Sequence, residues 1–246
     1  MKSQQTSRRE VLRLAGILGV GLFSRSAAGA REGESSADAS EVDHLVVGTN
    51  DLEAGIRYVA NLTGIRPSFG GQHPGQGTHN AVLSLGPRQY LEIIAPDPDQ
   101  PDTDGALVSS LRQFDSPSVS GWAAELSSID QVAKNLRSNG YEVSQVHLTE
   151  RHQQDGTLVK LRWFEIAGIT GGVVPWAVEW DAQSSHGSEG APAGCRIDRL
   201  ELEHPEWEKM NRVLELMGLR SRVRRGSTAK ITAWLTTPNG NVSLTS

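Results

Sequence analysis

"VDHLVVGTNDLEAGIRYVANLTGI", residues 42–65, decides how the rest of the chain is read, because "IDRLELEHPEWEKMNRVLELMGL" at 197–219 repeats its outline. Each stretch runs from an alternating apolar segment into an amphipathic one and stops at a glycine followed by a branched aliphatic. That is the pattern of a duplicated strand-helix unit. One difference matters for chemistry: His44 of the first copy is Arg199 in the second.

In the first copy, residues 43–47 alternate as a strand. Asn50 is the expected helix cap, with Glu53 third in the helix, Leu52, Ile56, Val59 and Ala60 on its apolar face, and Gly64 as its stop. Further strands are expected near 66–69, at 81–85, and at 90–94 after the "GPRQ" turn. After the acidic, proline-rich loop "PDPDQPDTDG" the same plan recurs. A helix from near Ser127 places Ile129, Val132, Ala133 and Leu136 on one face, and strands follow at 141–148, 160–166 and 173–180. The loop "AQSSHGSEGAPAG" then leads to a third unit, with Trp207, Met210, Leu214 and Met217 on a helix face and a hairpin around Asn239-Gly240. The reading is three copies of one module: two at 42–181 and one at 195–246 packed on the same domain.

Residues 1–30 are of another kind, with Arg8-Arg9, a short apolar run from Leu14 to Phe23, and small residues at Ala28 and Ala30. They resemble a twin-arginine export signal, the apolar run being too short to span a bilayer. Cleavage there leaves 19 of 24 basic and 28 of 29 acidic residues, a net charge of −9. The protein is therefore expected to be periplasmic or extracellular, with residues 31–41 as a tether and no membrane association after cleavage. An acidic chain gives no electrostatic reason for a nucleic-acid partner. The single cysteine, Cys195, cannot form an internal disulfide and reads as a small buried side chain.

Together "DHLVVGTNDLEAGI", "FGGQHPGQGTHNAVLSLG", "YLEIIAP" and "WAVEWD" resemble the glyoxalase-like domain family of the vicinal oxygen chelate superfamily. The resemblance implies an α+β fold of repeated βαβββ modules curved into a groove, here with a third βαββ repeat at the C-terminus. In that superfamily a histidine on the first strand and a glutamate on the last strand of a module bind a divalent metal. The resemblance therefore implies His44 and Glu92 as ligands, with positions left open for substrate oxygens; Zn, Fe, Mn and Ni are not distinguished. Gly121 and Arg199 take the place of His44 in the other units, and neither binds a metal. Remaining ligands are sought in His79 and in Glu179, which "WAVEW" matches to Glu92. Glu92 and His79 are the catalytic candidates, and His73, Asn80 and Tyr90 the substrate-binding ones. The loop 70–80, with five glycines or prolines before His79, is the expected substrate lip. A plainer alternative stays open, in which His44 is an interior histidine and Glu92 an ordinary strand acid. His147, His152 and His186 read as solvated.

The chain has no Gly-x-Ser-x-Gly, His-Glu-x-x-His or Cys-x-x-Cys, which removes serine hydrolases, zincins and thiol redox folds. Two readings remain for the small-molecule groove: a metal-dependent lyase, isomerase or dioxygenase, and a non-catalytic binding or sequestering protein. Export argues against glutathione-dependent glyoxalase chemistry, whose thiol cofactor is largely cytosolic. Pairing as a homodimer stays open.

Overall fold

The computed structural model describes residues 39–100, 105–152 and 156–246, so the expected export segment and most of the tether lie outside the described residues. The first module is β1 (His44–Gly48), α1 (Leu52–Thr63), β2 (Ser68–His73), β3 (Thr78–Gly86) and β4 (Gln89–Pro96). After a short α2 (Ala106–Leu111), the second is β5 (Ser118–Glu125), α3 (Ile129–Ser138), β6 (His147–His152), β7 (Leu158–Phe164) and β8 (Trp176–Trp180). Their strands form one eight-stranded sheet in the order β2-β3-β4-β1-β5-β8-β7-β6. In each module the first strand lies parallel to the last, and the two first strands meet antiparallel at the centre, with Leu45 opposite Trp122.

Strand alternation sorts the side chains. Leu45 and Val47 of β1 are wholly buried in the main core with Ile56 and Val59 of α1, while His44 and Val46 project to the other, concave face. The helix begins where a side chain satisfies its free N–H groups: Asp51 Oδ1 accepts from Ala54 N at 2.6 Å, a cap worth about 1 kcal/mol. The cap is thus Asp51 and not Asn50, and Glu53 instead binds Arg66 at 2.8 Å. Gly64 ends the helix at φ 81°, a conformation that favours glycine.

The supposed lip at 70–80 is mostly strand. β2 and β3 form a hairpin in which only residues 74–77 are turn. Its glycines and polar residues hide the alternation that marks a strand, but one glycine is needed for packing: a Cβ on Gly70 would lie 2.4 Å from Asn80 Oδ1.

The third unit comprises β9 (Arg196–His204), α4 (Trp207–Met217), β10 (Val223–Arg225), β11 (Lys230–Thr237) and β12 (Gly240–Thr245). It makes a separate sheet in the order β10-β9-β11-β12. Here the first strand pairs parallel with the short β10 and antiparallel with β11, so the unit shares the strand-helix opening of the other two but not their strand order. The third unit thus has three strands after its helix, one more than the βαββ repeat expected, and pairs them differently. Arg199 stands 4.4 Å over the Trp234 ring and binds Glu201 at 2.9 Å, with its side chain 46% exposed. The position that faces the groove in β1 faces solvent in β9, which is why a histidine in one is a guanidinium in the other.

The third unit is tied to the large sheet by one shared core, in which Leu200, Leu202 and Ile231 join Leu45 and Leu91. Polar ties reinforce it at helix ends. Asn239, in the β11–β12 turn, donates to the carbonyl of Asn61 at 3.1 Å near the end of α1, and Asn135 donates to that of Leu216 at 3.1 Å near the end of α4. Residues 39–41, expected as tether, form a 3-10 turn whose Glu41 carboxylate accepts from Arg220 N at 2.6 Å and Ser221 N at 2.8 Å.

Candidate functional site

The concave face of the eight-stranded sheet encloses a groove of about 860 Å³. One wall comes from the first module and is polar: His44 on β1, His73 on β2, Asn80 on β3, Tyr90 and Glu92 on β4. The other comes from the second module and is aromatic: Trp163 on β7, Trp176 and Trp180 on β8.

Glu92 is the hub of the polar wall. Its Oε1 accepts from Asn80 Nδ2 at 2.6 Å and lies 3.7 Å from His73 Nε2, while its Oε2 lies 3.7 Å from His44 Nε2. Parallel pairing makes this possible, because β1 sets Val46 beside Glu92 and His44 beside Tyr90, whose rings stack at 4.6 Å.

Asp43, one residue before β1, holds His44 from behind, and nothing in its sequence context marks it as a site residue. It is buried, and its carboxylate meets three N–H groups: His44 Nδ1 at 2.6 Å, His186 Nε2 at 3.0 Å and Trp180 Nε1 at 2.8 Å. Burial alone would raise the Asp43 pKa, but the hydrogen bonds from His186 and His44 outweigh it and hold the carboxyl well below the ordinary carboxylate range. His186 accepts from Ser188 N on its Nδ1 at 3.1 Å, so it is the neutral tautomer that donates from Nε2 to Asp43. For His44, burial opposes the charge, yet the Asp43 hydrogen bond and the charges of Asp43 and Glu92 prevail and raise it above the ordinary 6.5. Asp43 therefore fixes His44 with Nδ1 inward and Nε2 toward Glu92 and the groove.

The fold brings His44, Glu92, His73, Asn80 and Tyr90 together and leaves His79 and Glu179 elsewhere. His79 neighbours Asn80 on β3 and so projects to the opposite face, where it lies 3.8 Å from Asp97. Glu179 caps α3, accepting from Ser128 N at 2.8 Å and Ile129 N at 3.2 Å, and pairs with Arg162 at 3.0 Å. The match of Glu179 to Glu92 is off in register. Helices α1 and α3 start at Leu52 and Ile129, 77 residues apart, which equates Val46 with Ala123 and hence Glu92 with Trp176. Gly121 then makes room for that indole, since a Cβ there would lie 2.9 Å from the Trp176 ring.

One histidine read as solvated proves otherwise: His186 is 1% exposed, in a loop that is polar in sequence, so only tertiary contact reveals it. His147 is exposed as expected, and it stacks on Trp163 at 4.4 Å where it lines the groove.

As a metal site the arrangement is half-built. His44 and Glu92 supply two ligand-type atoms with Nδ1 of His44 braced by a carboxylate, as in many metal-binding histidines. His73 Nε2 lies 3.7 Å from the other oxygen of Glu92, yet among the described residues no group of three His, Cys, Asp or Glu side chains is placed to hold a metal ion.

A groove lined by two βαβββ modules in one sheet defines a vicinal oxygen chelate architecture. A sequence profile of the glyoxalase-like domain matches residues 42–217, most of the chain, and the chain belongs to that family. The match runs into α4 of the third unit. Among solved structures, a hypothetical protein from Staphylococcus aureus aligns with TM-score 0.59 and 14% identity, over 76% of this chain and 87% of that one. Methylmalonyl-CoA epimerase from Mycobacterium tuberculosis aligns with TM-score 0.41 and 20% identity, over 62% of this chain and 95% of that one. No match is found among curated proteins.

Proposed function

We propose that this protein is an isomerase that moves a proton on a small oxygenated molecule held in the groove, with Glu92 as base and His44 as its acid partner. The observation that carries this reading is the placing of Glu92: a carboxylate at the groove wall, oriented by Asn80 at 2.6 Å and facing the braced Nε2 of His44 at 3.7 Å. Glu92 would take a proton from a carbon next to a carbonyl. The electron pair left behind delocalises onto the carbonyl oxygen, where Nε2–H of His44 donates a hydrogen bond, and return of the proton to a carbon completes the turnover. Superfamily relatives typically use divalent metals for the electrophilic part; here Nε2–H of His44, braced by Asp43 at 2.6 Å, is the group placed to take that part.

Exchange of substrate C–H for deuterium in D2O, followed by proton NMR across a panel of small carbonyl compounds, tests the reading. Wild-type protein is expected to label at least one of them, and Glu92→Gln to slow labelling by about 100-fold or more. Exchange that disappears on treatment with EDTA would restore the metal mechanism. The absence of exchange with any compound that binds would instead favour a sequestering protein, the reading that the aromatic wall supports.

A further inference from the structure

The charge of the groove is one-sided. Among the described residues that line it there is no lysine and no arginine, whereas three glutamates do: Glu92 in the polar wall, and Glu165 and Glu189, both exposed. Arg88, which feels the charge of Glu189, is bound through two hydrogen bonds to Glu125 and does not line the groove. An anionic ligand such as a phosphate ester or a carboxylate would meet only histidines, of which His44 already stands between the carboxylates of Asp43 and Glu92, to offset its desolvation.

Two further features describe what does fit. Two of the three tryptophans in the aromatic wall have no indole N–H left to offer, because Trp163 Nε1 is spent on Thr149 Oγ1 at 3.1 Å and Trp180 Nε1 on Asp43 at 2.8 Å. Indole faces near carboxylates attract flat rings and cations. Beside Glu92, Asn80 is only 4% exposed and its Oδ1 is buried against Gly70 without a hydrogen-bond partner, so the carboxylates are the acceptors that the groove presents. Around the groove stand Phe69, Leu107 and Leu148, three of the four exposed large hydrophobic side chains among the described residues.

We propose that the ligand of this groove is a flat, largely apolar molecule carrying a protonated nitrogen, whose ring lies on the tryptophan wall and whose N–H groups meet the glutamates. This names the ligand class for the site described above and rests on the groove being a ligand site, not on the proton transfer. Equilibrium dialysis of the folded protein near neutral pH against three probes of one shape separates the cases: naphthalen-2-ylmethylamine is a cation, naphthalen-2-ylmethanol is neutral and 2-naphthoate is an anion. The amine is expected to bind about tenfold or more tightly than the alcohol, and the naphthoate most weakly. The exposed double variant Glu165→Gln with Glu189→Gln should bring the amine to within about threefold of the alcohol while leaving the alcohol unchanged. Naphthoate binding as tightly as the amine, or an amine no tighter than the alcohol, overturns the charge preference while the groove stands as a ligand site. Binding of none of the three overturns both. Deuterium exchange on a neutral carbonyl compound with no preference for the amine would leave the proton-transfer reading and remove this one.

Discussion

Asp43 carries more of the site than any residue the sequence singles out. Its carboxylate is buried among three N–H donors, so its charge is retained and its loss is costly. Asp43→Asn keeps the shape but cannot accept from all three, and it should lower unfolding free energy in urea by about 3 kcal/mol. The pH dependence has two limbs. Because the Asp43 pKa is depressed in the fold, its stabilisation is present above the ordinary 3.8 and is lost as pH falls below that value toward the depressed one. Because the His44 pKa is raised, its stabilisation is present below 6.5 and is lost as pH rises through the folded value. In Asp43→Asn both limbs should flatten, and NMR titration of the His44 ring should show its pKa falling relative to wild type; an unchanged ring titration would show that Asp43 does not hold it.

Three helix ends in this protein are met by side chains from other elements, and Glu179 shows the consequence. A carboxylate at the N-terminus of α3, bonded to two backbone N–H groups and to Arg162, is a structural group. Glu179→Ala should cost about 1–2 kcal/mol in urea unfolding and leave ligand binding in the groove unchanged; a loss of binding at full stability would return Glu179 to the site. Its role was illegible in "WAVEW" because strand parity, not residue type, decides which face a glutamate takes. Parity at Glu92 could be read from its alternation with Tyr90 and Ile94, whereas that at Glu179 was obscured by tryptophans that read equally well as core or as groove. The hairpin β2–β3 escaped for a related reason, since glycines carry no side chain to alternate.

The chain as a whole joins a groove on one face of a large sheet to a third unit that shares the core on its other face. The export segment has its own test. Cleavage after Ala30 is expected from Ala28-Gly29-Ala30, and intact mass of the exported protein checks it; a mature chain that begins at Met1 contradicts it. Arg8→Lys with Arg9→Lys should hold the precursor in the cytoplasm, and unaltered export of that variant would point to the general secretory route. Apolar periodicity and glycine stops were sufficient to read two strand-helix-strand modules, because these depend on local spacing along single strands and helices, whereas the pairing of His44 with Glu92 was implied by the family resemblance. The strand order of the third unit, the tryptophan in the place of a second glutamate, and the contact of Asp43 with His186 across 143 residues of chain were decided only in the tertiary structure. Pairing between distant strands and the burial of polar loop residues depend on which surfaces meet, and no spacing within a single segment encodes that.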